Sequence, residues 1–401
     1  MAIRGAAGTI KGYAHGQHRV NVQVNRVKKP GKMPPIRILI VDDSAVIRKV
    51  LTEGLASDPA IEVSGTAANG QIAISKIPQV NPDLVTLDIE MPGMNGLETL
   101  VAIRKIYPKL PVIMFSTLTE RGALTTLDAL ALGASDYVTK PSNTGSLDVT
   151  LSQIREQLIP KVKALCPPAL GTAPPIVPPP LPWRPIAAKP GREAAPVEVL
   201  AIGTSTGGPN ALAELIPAIP GDFSVPIVIV QHMPPVFTRL LAARLNERSA
   251  LKVQEGEAGQ ILQAGEAWIA PGNFHMTVER QGVSVRLATN QDPPENSCRP
   301  AVDPLFRSVA KVYGPSVLSV VLTGMGSDGV IGAQHIRERG GQVLVQDEKS
   351  SIVWGMPGQV AGAGLADAIY PLGSMAGEIV RRVAMKRGLS GASLTRSSRF
   401  S

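Results

Sequence analysis

Only two cysteines, Cys166 and Cys298, occur in 401 residues. That excludes a disulfide framework and a thiolate metal cluster, and it fits a reducing, cytoplasmic location. Aromatic residues make up only 3% of a chain that is 44% hydrophobic. The core must therefore be aliphatic, as in parallel sheets. No apolar run reaches the roughly 18 residues that a membrane-spanning helix needs, and residues 1–32 lack the apolar centre of a secretory signal. Acidic residues are missing from residues 1–35, which carry Arg4, Lys11, Arg19, Arg26, Lys28, Lys29 and Lys32. These seven account for all but one of the net charge of +8. The remaining chain is nearly neutral and offers no basic face for nucleic acid. Residues 1–35 read as a disordered basic leader, and Met33-Pro-Pro-Ile-Arg-Ile-Leu reads as a natural chain start within it.

Apolar runs that alternate with amphipathic stretches are plentiful. From residue 36 to about 140 the runs are Ile36–Val41, Ile61–Thr66, Leu84–Leu87, Pro111–Ser116 and Asp136–Thr139, separated by helix-like stretches such as Ser44–Ala56 and Asn95–Ile106. A helix is expected over Leu147–Leu165. Residues 167–196 then hold 11 prolines and read as an extended, semi-rigid spacer. Alternation resumes with Val197–Ile202, Ile227–Val230, Ala267–Ala270, Val317–Thr323 and Gln342–Val345. The expected fold is α/β, with two doubly wound parallel-sheet domains. The expected boundaries are a leader at 1–35, a first domain at 36–150, a helix and linker at 151–196, a second domain at 197–385 and a flexible tail at 386–401.

Ligands in such sheets bind at the carboxyl ends of the strands. In the first domain those ends carry Asp42, Asp43, Asp88, Ser116 and Lys140. Clustered carboxylates repel unless a cation joins them, and oxygen-only ligands favour Mg²⁺. One carboxylate can then attack a phosphoryl group, with Ser116 and Lys140 as partners for the product. The competing reading of Asp43 is a helix cap ahead of Ser44-Ala-Val-Ile. Taken together, Val-Asp42-Asp43-Ser, Leu-Asp88-Ile-Glu-Met-Pro-Gly, Ser116-Thr117 and Tyr137-Val-Thr-Lys140-Pro141 resemble a response-regulator receiver domain. The resemblance implies that Asp88 is the phosphoacceptor. It implies a Mg²⁺ site of Asp42, Asp43, Asp88 and the Glu90 backbone carbonyl, phosphate sensing by Ser116 and Lys140, and a rotamer change at Tyr137.

In the second domain, Gly203-Thr-Ser205-Thr-Gly207 follows an apolar run and precedes a helix start. It fits the loose nucleophile-turn pattern, although Gly-rich turns of this kind also bind phosphate. His232 ends the next run, and Asp328 follows the run Val317–Thr323. Asp328 alone reads equally as an N-cap. Serine, histidine and aspartate at three strand ends make a candidate triad. Their chain order, Ser-His-Asp, differs from the Ser-Asp-His of α/β-hydrolases.

Residues 36 to about 380 resemble the chemotaxis response-regulator protein-glutamate methylesterase (CheB) family. The motifs that carry the likeness are Ile-Gly-Thr-Ser205-Thr-Gly-Gly-Pro, Val-Gln-His232-Met-Pro, Ala-Pro-Gly-Asn273-Phe-His275-Met, Arg299-Pro-Ala-Val-Asp303, Leu-Thr-Gly-Met325-Gly-Ser-Asp328-Gly and Trp354-Gly-Met-Pro-Gly358. The resemblance implies that Ser205, His232 and Asp328 are catalytic, with oxyanion donors among the backbone amides near Thr206 and Met325. His275 reads as a cleft residue or a structural one. Arg299 reads as a contact for acidic receptor side chains or a brace for Asp303, and Trp354 as a cleft wall or packing.

The implied activity is phosphorylation-activated hydrolysis of glutamate γ-methyl esters, with deamidation of glutamines, on methyl-accepting chemotaxis receptors. The implied partners are those receptors and a chemotaxis histidine kinase. No nucleic acid, no cofactor in the esterase domain and no membrane contact except through receptors are expected. The alternative is a non-catalytic, receiver-linked signalling scaffold. A DNA-binding regulator would need a basic helix-turn-helix after the receiver, and the near-neutral second half supplies none.

Overall fold

The computed structural model describes residues 34–140, 151–152, 154–167 and 195–385. Almost all of the basic leader, most of the proline-rich stretch, the start of the Leu147–Leu165 helix and the tail lie outside these residues. Among the described residues no helix is long and apolar enough to cross a membrane.

The first sheet is all parallel in the order β2-β1-β3-β4-β5. Its strands are β1 (Ile36–Val41), β2 (Ile61–Ala67), β3 (Leu84–Asp88), β4 (Val112–Ser116) and β5 (Asp136–Thr139). Four helices connect them: α1 (Ala45–Leu55), α2 (Gly70–Val80), α3 (Gly96–Ile106) and α4 (Glu120–Ala131). All residues of β3 and β4 are buried, which is why they read as mainly apolar runs without a polar-apolar alternation. The order changes direction between β1 and β3, so the ends of those strands flank the crevice where such sheets bind ligands. Ser44 caps α1, its side chain accepting from the Ile47 N–H. Asp43 is therefore not the cap. Beyond β5, a π-helical turn at Ile154–Leu158 leads into α5 (Ile159–Leu165).

The second sheet has seven strands, all parallel, in the order β14-β13-β12-β6-β7-β9-β8. The central strands are β6 (Val199–Thr204), β7 (Ile227–Gln231) and β12 (Val317–Val321), every residue of them buried. Flanking strands are β8 (Lys252–Glu255), β9 (Glu266–Ile269), β13 (Gln342–Gln346) and β14 (Ala368–Tyr370). The covering helices are α6 (Gly208–Leu215), α7 (Phe237–Arg248), α8 (Val302–Tyr313), α9 (Val330–Glu338), α10 (Met356–Gly362) and α11 (Leu372–Ala384). The chain leaves β6 toward β7 on one side and returns to β12 on the other. The switch point thus lies at the ends of β6 and β12.

Sequence patterning did not foresee β8, β14 or an antiparallel hairpin of β10 (His275–Gln281) and β11 (Ser284–Asn290). The hairpin buries only part of its residues, among them Met276 and Val278 of β10 and Val285 and Leu287 of β11, with Val278 opposite Leu287. Strands β8 and β14 are sheet edges, and edges need no continuous apolar run.

Candidate active site

Register brings the second domain's three strand ends together. Thr204 pairs with Gln231 and Gly203 with Val321, so the residues that follow β6, β7 and β12 emerge side by side. The Ser205 N–H donates to the Thr323 carbonyl at 3.1 Å, and the His232 N–H donates to the Thr204 carbonyl at 3.2 Å. Gln231 precedes His232 at the end of β7. Its Nε2 donates to the Ser205 carbonyl at 3.0 Å and to the His232 carbonyl at 3.3 Å, tying the two turns together. Gly207 turns the chain into α6 with φ of 79°, a left-handed conformation in which glycine carries no steric penalty.

His232 Nε2 lies 2.8 Å from Asp328 Oδ2. An ionised carboxylate only accepts, so Nε2 carries the proton and Nδ1 holds the lone pair in the neutral ring. That Nδ1 faces Cys298 Sγ at 3.5 Å. Among the described residues no hydrogen bond joins the Ser205 hydroxyl to His232. The structure links His232 directly to Asp328 and brings Ser205 beside them through the backbone.

Asp328 does not cap the helix that follows it; Gly329 occupies that position before α9. Its carboxylate instead accepts from the Val302 N–H at 2.6 Å and the Asp303 N–H at 3.0 Å, in the first turn of α8. Asn296 Nδ2 at 3.0 Å and the Gly329 N–H at 2.9 Å complete the set. Helix-end amides and the imidazole favour the anion. Against the cost of burial, they hold Asp328 below the ordinary carboxylate value. Burial alone would lower the His232 pKa, but Asp328, and after it Cys298, outweigh burial and raise it above 6.5.

Thr206 follows Ser205 in the nucleophile turn and Met325 lies in the loop after β12, and among the described residues neither backbone N–H has an acceptor. A Cβ on Gly324 would sit 2.9 Å from Ser205 Cβ. The Gly324–Met325 loop therefore lies directly against the serine. The Trp354 loop braces it: the Gly324 N–H donates to Val353, and the Gly355 and Met356 N–H groups donate to Gly324. Trp354 Nε1 donates to the Gln346 carbonyl at 2.9 Å, which favours the packing role.

His275 is structural. It is 1% exposed, its Nδ1 accepts from the Ala301 N–H at 3.2 Å, and its Nε2 donates to the Pro293 carbonyl at 3.2 Å. Arg299 does not brace Asp303. It reaches Asn273 Oδ1 at 2.7 Å and the carbonyls of Gln291 and Asp292, fastening the loop that leads to the site. Asp303 is met by Asn296 instead.

In the first domain, oxygens of Asp42, Asp43 and Asp88 all lie within 4.8 Å of one another. Lys140 Nζ lies 2.7 Å from Asp88 Oδ1 and 3.4 Å from Asp42 Oδ2. The buried Asp88 Oδ2 lacks a hydrogen-bond partner and Asp42 Oδ2 has only the ion pair with Lys140, and an all-oxygen donor set with such an under-satisfied buried carboxylate oxygen fits a hard divalent cation. The Glu90 N–H donates to Asp88 Oδ1 at 3.3 Å. Burial, opposed by Lys140, pushes Asp88 up to about 6. A depression of about 490 Å³ lined by Asp43, Glu90, Met91, Asn95 and Arg121 opens alongside. Ser116 is turned away from Asp88: its hydroxyl donates to the Gly122 carbonyl at 3.1 Å and accepts from Thr126 Oγ1 at 2.6 Å. Tyr137 is buried, at 7% exposure.

Residues 200–379 match the CheB methylesterase family model, and residues 38–152 match the response regulator receiver domain model. A protein-glutamate methylesterase/protein-glutamine glutaminase of Trichodesmium erythraeum is 55% identical over 351 residues, covering 88% of this chain and 100% of its own. This chain belongs to the CheB methylesterase family. A second relative of the same description, from a Nocardioides species, is 52% identical and covers 88% of this chain and 97% of its own. The crystal structure of the Thermotoga maritima CheB methylesterase catalytic domain aligns at 39% identity over 47% of this chain and 99% of its own, with a TM-score of 0.46.

The receiver and the esterase domain meet beside the candidate nucleophile. Tyr137 stacks on Phe237, with ring centroids 4.8 Å apart and planes 6° from parallel. Thr206 Oγ1 donates to Asp136 Oδ2 at 2.7 Å, so the residue after Ser205 is held by the receiver. Lys161 on α5 supports that carboxylate at 2.7 Å and donates to the Tyr137 carbonyl. On the rim, Asn210 reaches the Leu130 carbonyl, while Arg239 pairs with Glu120 and Arg244 with Asp128. Sequence reading named Tyr137 but missed Asp136, Phe237 and the arginines of α7. Their types carry no local motif; only the docking gives them a role.

Proposed function

We propose that this chain hydrolyses glutamate γ-methyl esters of methyl-accepting chemotaxis receptors, releasing methanol, and that phosphorylation of Asp88 switches the activity on. The observation that carries the proposal is the His232–Asp328 pair beside Ser205 at three neighbouring strand ends. In the reaction, Ser205 Oγ attacks the ester carbonyl and gives its proton to His232 Nδ1, while Nε2–H stays on Asp328. The carbonyl oxygen becomes an oxyanion that accepts from the Thr206 and Met325 amides. The tetrahedral intermediate collapses, and methanol leaves with the proton from Nδ1. Water then attacks the acyl-enzyme, His232 takes a proton from it, and the glutamate carboxylate is released as Ser205 regains its hydrogen. A receptor glutamine follows the same course, with ammonia as the leaving group. None of these steps draws on a cofactor.

In the receiver, Asp42, Asp43, Asp88 and the Glu90 carbonyl would hold Mg²⁺, which when bound neutralises the carboxylates and orients the incoming phosphoryl group. Asp88 accepts the phosphoryl group from a chemotaxis histidine kinase. Lys140, 2.7 Å from Asp88 Oδ1, would pair with one product oxygen, and Ser116 would swing from the Gly122 carbonyl to reach another. That swing and the Tyr137–Phe237 stack lie on the same flank of the receiver, which couples phosphorylation to release of the esterase domain. The partners of this reading are receptors in the membrane; the enzyme itself works in the cytoplasm.

The test is methanol release from methylated receptor membranes, with and without a small phosphodonor. Wild type is expected to respond to the donor, Asp88→Asn to stay at the basal rate, and Ser205→Ala to release none. Undiminished release by Ser205→Ala would overturn the assignment.

A further inference from the structure

Beside Asp328 of the triad lies a second buried carboxylate, Asp303, that the reaction steps do not use. Asp303 is 1% exposed and Asp328 is 2% exposed. The two cap each other's helices. Asp328, just before α9, accepts from the first turn of α8. Asp303, in the first turn of α8, accepts from the Gly329 N–H at 3.0 Å and the Gly332 N–H at 2.7 Å at the start of α9. One amide touches both acids: Asn296 Nδ2 lies 3.0 Å from Asp303 Oδ2 and 3.0 Å from Asp328 Oδ1.

The backbone beneath that amide is unusual. Glu295 and Cys298 exchange both N–H···O bonds, at 3.1 and 2.9 Å, closing a two-residue hairpin. Its tip residues, Asn296 and Ser297, have φ of 52° and 61°. Asparagine tolerates this region better than most residues, and serine gains nothing from it. Consecutive left-handed non-glycine residues persist only where the surroundings impose them. Here the hairpin delivers Asn296 to the carboxylates and Cys298 to His232.

We propose that Asn296 is a positioning residue: its amide bridges Asp303 and Asp328, keeping both ionised and holding Asp328 Oδ2 on the imidazole. The role rests on the hydrolase reading above. Two desolvated like charges at one place favour uptake of a shared proton. The groups facing the pair are His232 at the end of β7, Cys298 and Glu295 on the hairpin, and Arg307 on α8. Arg307 is already engaged bidentately by Glu295, so the neutral amide is what separates the two acids. Burial and the neighbouring Asp328 charge already raise the Asp303 pKa. Without the bridge, the pair takes up a proton and pulls less strongly on His232.

The test uses the full chain with phosphodonor and methylated receptor membranes. Asn296→Gly removes the amide but suits the positive φ, and Ser297→Gly alters the same turn with the amide intact. Asn296→Gly is expected to lower kcat about tenfold, leave KM unchanged, and turn the acidic limb of kcat from one ionisation into two. Ser297→Gly is expected to match wild type. A wild-type kcat and a single ionisation in Asn296→Gly would overturn the proposal. So would an equal loss in Ser297→Gly, which would assign the effect to the hairpin backbone. If Ser205→Ala, run alongside, still releases methanol, the hydrolase reading fails and this role falls with it. A dead Ser205→Ala beside a normal Asn296→Gly sinks the positioning role alone.

Discussion

His232 can accept the serine proton only while Nδ1 is unprotonated, so the direction of its pKa shift sets the pH dependence. Burial opposes the imidazolium, but Asp328 and Cys298 raise the folded pKa above 6.5. The acidic limb of kcat/KM for the full chain should therefore have its midpoint above 6.5. Asp328→Asn should lower kcat on the order of 10³- to 10⁴-fold and move the residual limb down, because the partner that favours the imidazolium is gone. A limb that does not move would show that Asp328 does not govern His232. The same pair contributes to stability in a bounded window. The raised histidine contributes fully below 6.5, and its contribution is lost as pH rises through the folded value. Asp328, lowered by His232 and the helix amides, contributes above 3.8 and loses that contribution as pH falls through its folded value.

Helices α8 and α9 are fastened by the carboxylates at their starts, and this fixes where β12 delivers Asp328. Asp303→Ala should cost about 2 kcal/mol and lower the unfolding midpoint of the esterase domain, read by thermal melts, because the buried Gly332 N–H loses its side-chain acceptor and the Gly329 N–H one of its two. The clasp was not legible in the sequence. Asp328 reads locally as a cap for the following helix, yet its partners Val302 and Asp303 lie 26 and 25 residues earlier. Asn296 sits in an exposed, polar stretch with no periodicity to mark it. The central strands were legible for a physical reason: burial on both faces of a parallel sheet favours a mainly aliphatic run, as in Val199–Thr204 and Val317–Val321. The strand ends then point to the candidate site through topology alone. Strands β8, β14 and the β10–β11 hairpin are under no such demand, and their mixed sequences conceal them.

At the scale of the whole molecule, the receiver grips the esterase domain at three depths. Innermost is the Thr206–Asp136 hydrogen bond, one residue from Ser205. Next comes the Tyr137–Phe237 stack, worth about 0.5–1.5 kcal/mol beyond the area it buries. Outermost are the pairs Arg239–Glu120 and Arg244–Asp128, exposed enough that each contributes about 1 kcal/mol or less. The inner contacts involve residues needed for the reaction or the fold, so the rim is where the gate can be tested cleanly. Arg244→Glu sets like charges against Asp128 and leaves the triad and the phosphoacceptor pocket untouched. Opening the contact by about 0.5–1 kcal/mol corresponds to a roughly two- to fivefold larger open population. Methanol release by the unphosphorylated full chain should rise by that factor, while the phosphorylated rate stays the same because the contact is already released. Adding Asp128→Arg restores an opposite-charge pair in the other sense and should return basal release to the wild-type level. If basal release is the same in Arg244→Glu as in wild type, this face does not restrain the esterase. If it rises but the second substitution does not bring it back, Arg244 acts within the esterase domain and not across the interface.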